Sequence, residues 1–245
     1  MKKIVNLIGE FLIYLFRILK FSRFVKRRHE IFKQAEKIGN DSLLLIFTTS
    51  AFTGLVTAVQ ASYQTRGFIA VSMIGTMIGK SSMLELAPVL SALVITGKVG
   101  GSIAAEIATM NVTEQLDAMK SMGVFPEDYL FMPRILAGTI MLPVLTIVSV
   151  ITSIFFGFFI SNILYSVSAN VFFSSIKTFF KPADLWGGLI KALFFGFIIT
   201  SISCFEGYKS KNGAEGVGKA TTTAVVFSSI FILCFDFIIT AAIFS

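Results

Sequence analysis

Glu85, Lys98, Lys191 and Asp236 stand in or at the edges of long apolar stretches. A charge at the centre of a bilayer costs roughly 2.5–3.5 kcal/mol on insertion scales, so such groups face a bundle interior, a cavity or the interface. Their chemistry is that of receiving a polar group, or one another, inside an apolar wall. Between two of the stretches lies a loop, Glu106 to Tyr129, with five acids against one base. Together these features describe a polytopic membrane protein with a polar interior and a marked cytoplasmic handle, built to move something rather than to anchor it.

Other candidate chemistry fails on spacing. Gly75-Thr-Met-Ile-Gly79-Lys80-Ser81 has three residues between its glycines where a phosphate loop needs four, and an apolar helix precedes it instead of a strand. Gly97-Lys98-Val99 has no Ser or Thr after the lysine. No nucleophile, base and orienting group stand at catalytic spacing, and no acids pair around a substrate-sized site. One His and two Cys (Cys204, Cys234) offer no zinc or haem set. The chain is therefore expected to be non-enzymatic, with no cofactor and no metal.

The elements that must position these residues follow from composition. The 245 residues are 55% hydrophobic and 14% charged, well below the roughly 25% charged of soluble domains, and mean hydropathy is +0.82. Ten of the 21 basic residues precede Asp41, which suits an anionic cytoplasmic leaflet. No basic and aromatic residues interleave as a nucleic-acid surface would require. Near the N-terminus, Lys3, Asn6, Glu10, Arg17 and Lys20 share one helical face, and apolar residues from Ile4 to Leu19 take the other. That pattern predicts an amphipathic helix lying in the interface plane.

A span needs about 20 apolar residues. Five are predicted: Leu43–Tyr63, capped by Asn40/Asp41/Ser42, then Leu84–Ile103, Ile135–Ile160, Trp186–Phe205 and Thr222–Phe244. Phe68–Gly79 is apolar but short, the size of a re-entrant or interfacial helix on the outer side. A short amphipathic piece is expected around Val171–Phe180. An inside N-terminus places Glu106–Arg134 and Glu206–Lys219 in the cytoplasm and the C-terminus outside. Gly75/Gly79 and Gly97/Gly101 have the G-x-x-x-G spacing of close helix packing or a dimer interface.

In the acidic loop, Val112, Leu116 and Met119 recur at helical spacing ahead of a Gly123/Pro126 turn. Thr113 can cap that helix, and Glu114 and Gln115 fall in its first turn, where negative charge is favoured. Its character suits docking into another protein's groove. Lys98 is expected to pin the start of this segment by pairing with Glu106 or a carbonyl, the first needing a bend at Gly100/Gly101. Asp236, mid-span, should face inward toward Lys191, Thr200, Ser201 or Ser203, although depth counting separates it from Lys191. Glu85, just before Pro88, is expected to face a central cavity; a favourable helix-terminal charge is the alternative.

Several motifs in order carry a resemblance: Glu85-Leu86-Ala87-Pro88-Val89, Gly97-Lys98-Val99-Gly100-Gly101-Ser102-Ile103-Ala104-Ala105-Glu106-Ile107, Thr113-Glu114-Gln115-Leu116 and Pro133-Arg134. It continues through Phe205-Glu206-Gly207-Tyr208, Gly216, Lys219-Ala220-Thr221-Thr222, Val225-Val226 and Asp236-Phe237. From about Lys33 to the C-terminus the chain resembles the MlaE/YrbE permeases, membrane subunits of ABC transporters that move phospholipids and other hydrophobic lipids. It departs from the usual pattern with Lys98 for Arg, Ala87 for Gly and Glu206 for Asn; Lys98 keeps the charge but loses the bidentate fork.

The resemblance implies one permease domain over residues 1–245, with 1–40 an interfacial and basic segment and 41–245 the transmembrane part. It implies a homodimer in the bacterial inner membrane, bound to cytoplasmic ATPase subunits that use ATP and Mg. An outer-side MCE-domain protein and, in some members, a STAS-domain protein are further partners. Glu106–Met122 becomes a coupling helix, with Glu106, Thr113, Glu114, Gln115, Leu116 and Asp117 facing the ATPase. Glu85, Pro88, Leu55 and Val59 become cavity residues, and Lys98, Arg134 and Asp236 structural polar groups. The competing classes are an ion-coupled secondary transporter, a membrane-embedded lipid enzyme and a non-transporting assembly factor. A secondary transporter would show similar halves or broken helices around an ion site, an enzyme a catalytic constellation.

Overall fold

A computed structural model describes Gly9 and residues 28–65, 73–211 and 213–244. The predicted amphipathic helix before Arg23 lies outside these residues, Gly9 aside, as does Phe68–Ser72. The described residues are helical throughout apart from turns and short connections. Helix α1 runs Arg28–Thr65, and α2 (Ile74–Ser81), α3 (Ala87–Ile95) and α4 (Gly101–Val112) follow. A short α5 (Gln115–Ser121) leads to α6 (Met132–Tyr165), α7 (Ala169–Phe179), α8 (Pro182–Lys209) and α9 (Gly213–Phe244). Among the described residues, five helical stretches are long and apolar enough to cross a membrane. The protein is thus an all-α, multi-pass membrane protein.

Two boundaries differ from the sequence reading. Asn40/Asp41/Ser42 caps nothing, because α1 passes through these positions without a break. Ser42 is buried instead. The second span is far longer than Leu84–Ile103. Ile74–Val112 is one continuous helix of 39 residues, about 58 Å at 1.5 Å per residue, against a hydrocarbon core of about 30 Å. The described part of Phe68–Gly79 is therefore the first turns of this helix and not a separate element. Lys80, Ser81 and Ser82, between the two predicted segments, lie within the helix.

What joins α2, α3 and α4 are two π-helical turns, Ser82–Leu86 and Thr96–Gly100. The first has a local cause. Pro88 has no N–H to give the carbonyl of Leu84, four residues back, so the α-helical ladder is interrupted there. A π turn absorbs one extra residue and turns the downstream faces relative to the upstream ones.

The main apolar core joins α1, α3, α4, α6 and α8 through residues such as Ile46, Ile95, Ile107, Leu142 and Phe195. A second cluster, Ala58, Ala61, Ile74, Ile78, Val167 and Phe172, ties the end of α1 to α2 and α7. Helix α8 is central, with 67% of its most apolar window inside the fold, whereas α9 has 17%. The centre is reached by backbone approach. A Cβ at Gly196 would stand 2.5 Å from the carbonyl oxygen of Gly138, so α6 and α8 touch main chain to main chain. Gly75 and Gly79 pack on α7, while Gly97 has nothing within 4 Å of a Cβ.

Candidate functional site

The first π turn organises the polar interior. Lys191 of α8 is fully buried, and its Nζ donates to Glu85 Oε1 at 2.7 Å and to the carbonyl of Leu84 at 3.2 Å. That carbonyl is the one Pro88 leaves without a helical donor. Asp236 Oδ1 of α9 stands 2.9 Å from the same Nζ as an ion pair off the angle of a hydrogen bond. Thr240 donates to Glu85 Oε1 at 3.3 Å and to the carbonyl of Asp236 at 2.6 Å. Gly188, one turn before Lys191 on α8, admits the carbonyl of Met83 where a side chain would clash. A lysine so placed has two hydrogen-bond acceptors and a second carboxylate as counter-charge, which is how a buried ammonium is tolerated.

Beside this cluster lies a groove of about 770 Å³ between α1 and the α2–α3 helix. Its α1 wall holds Phe52, Thr53, Val56, Thr57, Gln60 and Gln64; Lys80, Ser81, Leu84, Glu85 and Leu90 line the other. Glu85 lies on the groove. Pro88 is buried and Leu55 and Val59 are absent from the lining, so the α1 face differs from the predicted one. Helix α1 is apolar on most sides, and such a helix carries little phase information in its sequence. Lys80 also reaches Asp184 Oδ2 at 3.8 Å, at the buried start of α8.

At the opposite end of the bundle Glu106 binds three helices together. Its carboxylate takes Lys37 of α1 at 2.5 Å and Arg134 of α6 at 2.8 Å. Arg134 is buried, and its Nε and Nη1 have no hydrogen-bond partner among the described residues. Lys98 does not pair with Glu106; it donates to the carbonyl of Asp41 on α1, the other predicted alternative. The helix continues through Gly100 and Gly101, and the Lys98 side chain is taken up by the neighbouring helix.

The segment after Glu106 is not one helix to Met122. It breaks at Thr113 and Glu114, the latter in the left-handed region with φ 59°. Thr113 does not cap α5, since its hydroxyl donates back to the Thr109 carbonyl at 2.8 Å. Leu116 is fully buried in the protein's own core, so it anchors the segment and leaves the surface to Glu114, Gln115 and Asp117, all exposed. Asp117 accepts from Lys120 at 2.9 Å, and Lys120 lies 5.2 Å from the Tyr208 ring. The Asp117 hydrogen bond holds the Lys120 ammonium above its ordinary pKa, against slight desolvation and with help from Tyr208. Asn111 donates to the carbonyls of Tyr208 and Ser210 at 2.9 and 2.8 Å, fastening the end of α4 to the end of α8. Met122 and Phe125 present exposed apolar surface beside α5.

Sequence reasoning underrated Lys191, Lys37 and the Lys80 side of the groove. The signal for Lys191 was Pro88, which orphans a carbonyl in the same turn as Glu85 and so calls for an outside donor. Among the described residues, no group of three or more His, Cys, Asp or Glu is placed to hold a metal ion.

The profile of the family described as permease MlaE matches residues 31–242. The chain is 42% identical over 214 residues to a probable ABC transporter permease protein of Rickettsia prowazekii (strain Madrid E), covering 87% of this chain and 83% of that one. A probable ABC transporter permease protein of Synechocystis sp. is 40% identical over 213 residues, 87% of this chain and 81% of that one. One from Pyropia yezoensis is 36% identical over 225 residues, 91% and 86% of the two chains. Matches of this extent take in α1 through α9, including the lysine-centred cluster and the loop beyond Glu106, and on them the chain belongs to the MlaE permease family and is a permease subunit of an ABC transporter.

Proposed function

We propose that two copies of this chain form the membrane path of an ATP-driven transporter of phospholipid or a similar hydrophobic lipid, working between the cytoplasmic membrane and an outer-side MCE-domain carrier. The observation that carries this reading is the groove. Apolar side chains from α1 and α3 can accept acyl chains, and the same wall ends in Lys80 and Glu85, which can meet a headgroup. The groove is open along one side, and a second copy would close it. The exposed apolar face of α9 is free to meet lipid.

In this reading the Glu106 end is cytoplasmic, with the N-terminus inside, the C-terminus outside and the basic start of α1 at the inner leaflet. The α4–α5 segment is the coupling element. Leu116 fixes it to the permease, while Glu114, Gln115 and Asp117, with Met122 and Phe125 nearby, form the face offered to an ATPase. ATP and Mg act in that partner, and a STAS-domain protein can sit on it. Glu106, Arg134, Lys37 and Lys98 tie α1, α4 and α6 so that movement of the coupling element reaches the groove. The test is reconstitution of the permease with its ATPase in liposomes, measuring ATP-dependent transfer of labelled phospholipid to or from an MCE-domain protein. Hydrolysis without any lipid transfer would overturn the reading.

A further inference from the structure

Charge is unevenly matched around the groove. Lys191 faces two carboxylates, Glu85 and Asp236, so this cluster carries one surplus negative charge. The Glu85 side chain is 41% exposed and that of Asp236 22%, so the surplus is presented mainly at Glu85, on the groove wall. A cation is at hand on the same wall. Lys80 stands 3.8 Å from Asp184, too far for a hydrogen bond, and its side chain is 38% exposed. Its donors are therefore available to the groove.

Lys80 and Glu85 are five residues apart, about 7.5 Å along a helix. In an unbroken α-helix that spacing would point them some 140° apart. The π turn at Ser82–Leu86 adds a residue between them, and both line the groove. A cation and an anion on one wall, within the reach of two flexible side chains, match a ligand carrying opposite charges on a short link.

We propose that the groove selects lipids whose headgroup bears both a phosphate and an ammonium, with Lys80 taking the phosphate and Glu85 the ammonium. The inference rests on the lipid-transport reading and specifies its substrate. A headgroup with a phosphate and no amine satisfies Lys80 but leaves the Glu85 surplus unanswered and repels it. Asp184, buried behind Lys80, holds the lysine at the wall without neutralising it through a hydrogen bond.

The test is lipid capture by the full chain purified in detergent. The protein is equilibrated with equimolar phosphatidylethanolamine and phosphatidylglycerol of identical acyl chains, and bound lipid is extracted and weighed by mass spectrometry. The wild type should enrich the ethanolamine lipid about threefold to tenfold, the scale of one charge-assisted hydrogen bond reduced by solvent. Phosphatidylethanolamine with its amine acetylated should lose that enrichment on the wild-type protein, a comparison that needs no variant. Glu85→Gln should bring the ratio to one, whereas Lys80→Gln should lower both lipids with the ethanolamine preference kept. Bound lipid at the input ratio on the wild type, or preference surviving acetylation, would overturn the headgroup assignment while leaving lipid binding intact. Absence of any saturable bound phospholipid would overturn both.

Discussion

Lys191 is the side chain on which the interior turns, because it joins α8, the π turn and α9 through one ammonium. With two carboxylates to one lysine, either acid can be neutralised while the other still balances the charge. Glu85→Gln and Asp236→Asn should each shift stability by about 1 kcal/mol or less. The double variant leaves a buried ammonium unpaired and should cost about 3 kcal/mol or more. Thermal unfolding of the four proteins in one detergent measures the coupling, and strictly additive losses would dismiss the shared role. Asp236→Leu should be worse than Asp236→Asn, since it removes the carbonyl-type oxygen as well as the charge. The polar character of this site was legible in the sequence, as Glu85, Lys191 and Asp236 in or beside apolar runs. Lys191 was among the partners expected for Asp236 and the ion pair selects it; depth counting weighed against it because counting residues from Trp186 ignores a long lysine stem.

At the scale of elements, α5 separates structure from surface. Leu116→Ala should cost about 2–5 kcal/mol, the range for a buried leucine emptied from a core. Glu114→Lys with Asp117→Lys should leave unfolding nearly unchanged but weaken co-purification of the ATPase, as charge reversal disrupts complementarity. Full ATPase recovery with the double reversal would remove these acids from the docking face. The glycines divide in the same way. Gly196→Ala drives a methyl into the Gly138 backbone and should destabilise by about 1–3 kcal/mol. Gly97→Ala, with open space around it, should be neutral or slightly stabilising, and melting temperatures of the pair decide this. Periodicity located the short helix and the Gly123 turn, whose φ of +76° fits glycine. It could not tell that Leu116 points into the protein's own core, since one apolar stripe serves either side. The π turns were hidden as well, for run length and composition do not reveal one extra residue in a helical turn.

The whole molecule is a bundle whose two ends carry different polar clusters, linked by the continuous Ile74–Val112 helix. One end of that helix bears Lys80 and Glu85 at the groove; the other bears Glu106 and leads into α5. Membrane class and five spans were readable from composition and run length, because apolar length is what a bilayer demands. Which α1 residues line the groove was not, and only packing against α6 and the α2–α3 helix sets it. The central claim is that lipid passes through this groove under ATP-driven control. Val56 lies on its α1 wall and is 63% exposed, so Val56→Trp can fill the space without disturbing the core. Transfer of labelled phospholipid by the reconstituted complex should fall at least about tenfold in this variant, with ATPase still bound and hydrolysing. Transfer at the wild-type rate through a filled groove would contradict the account.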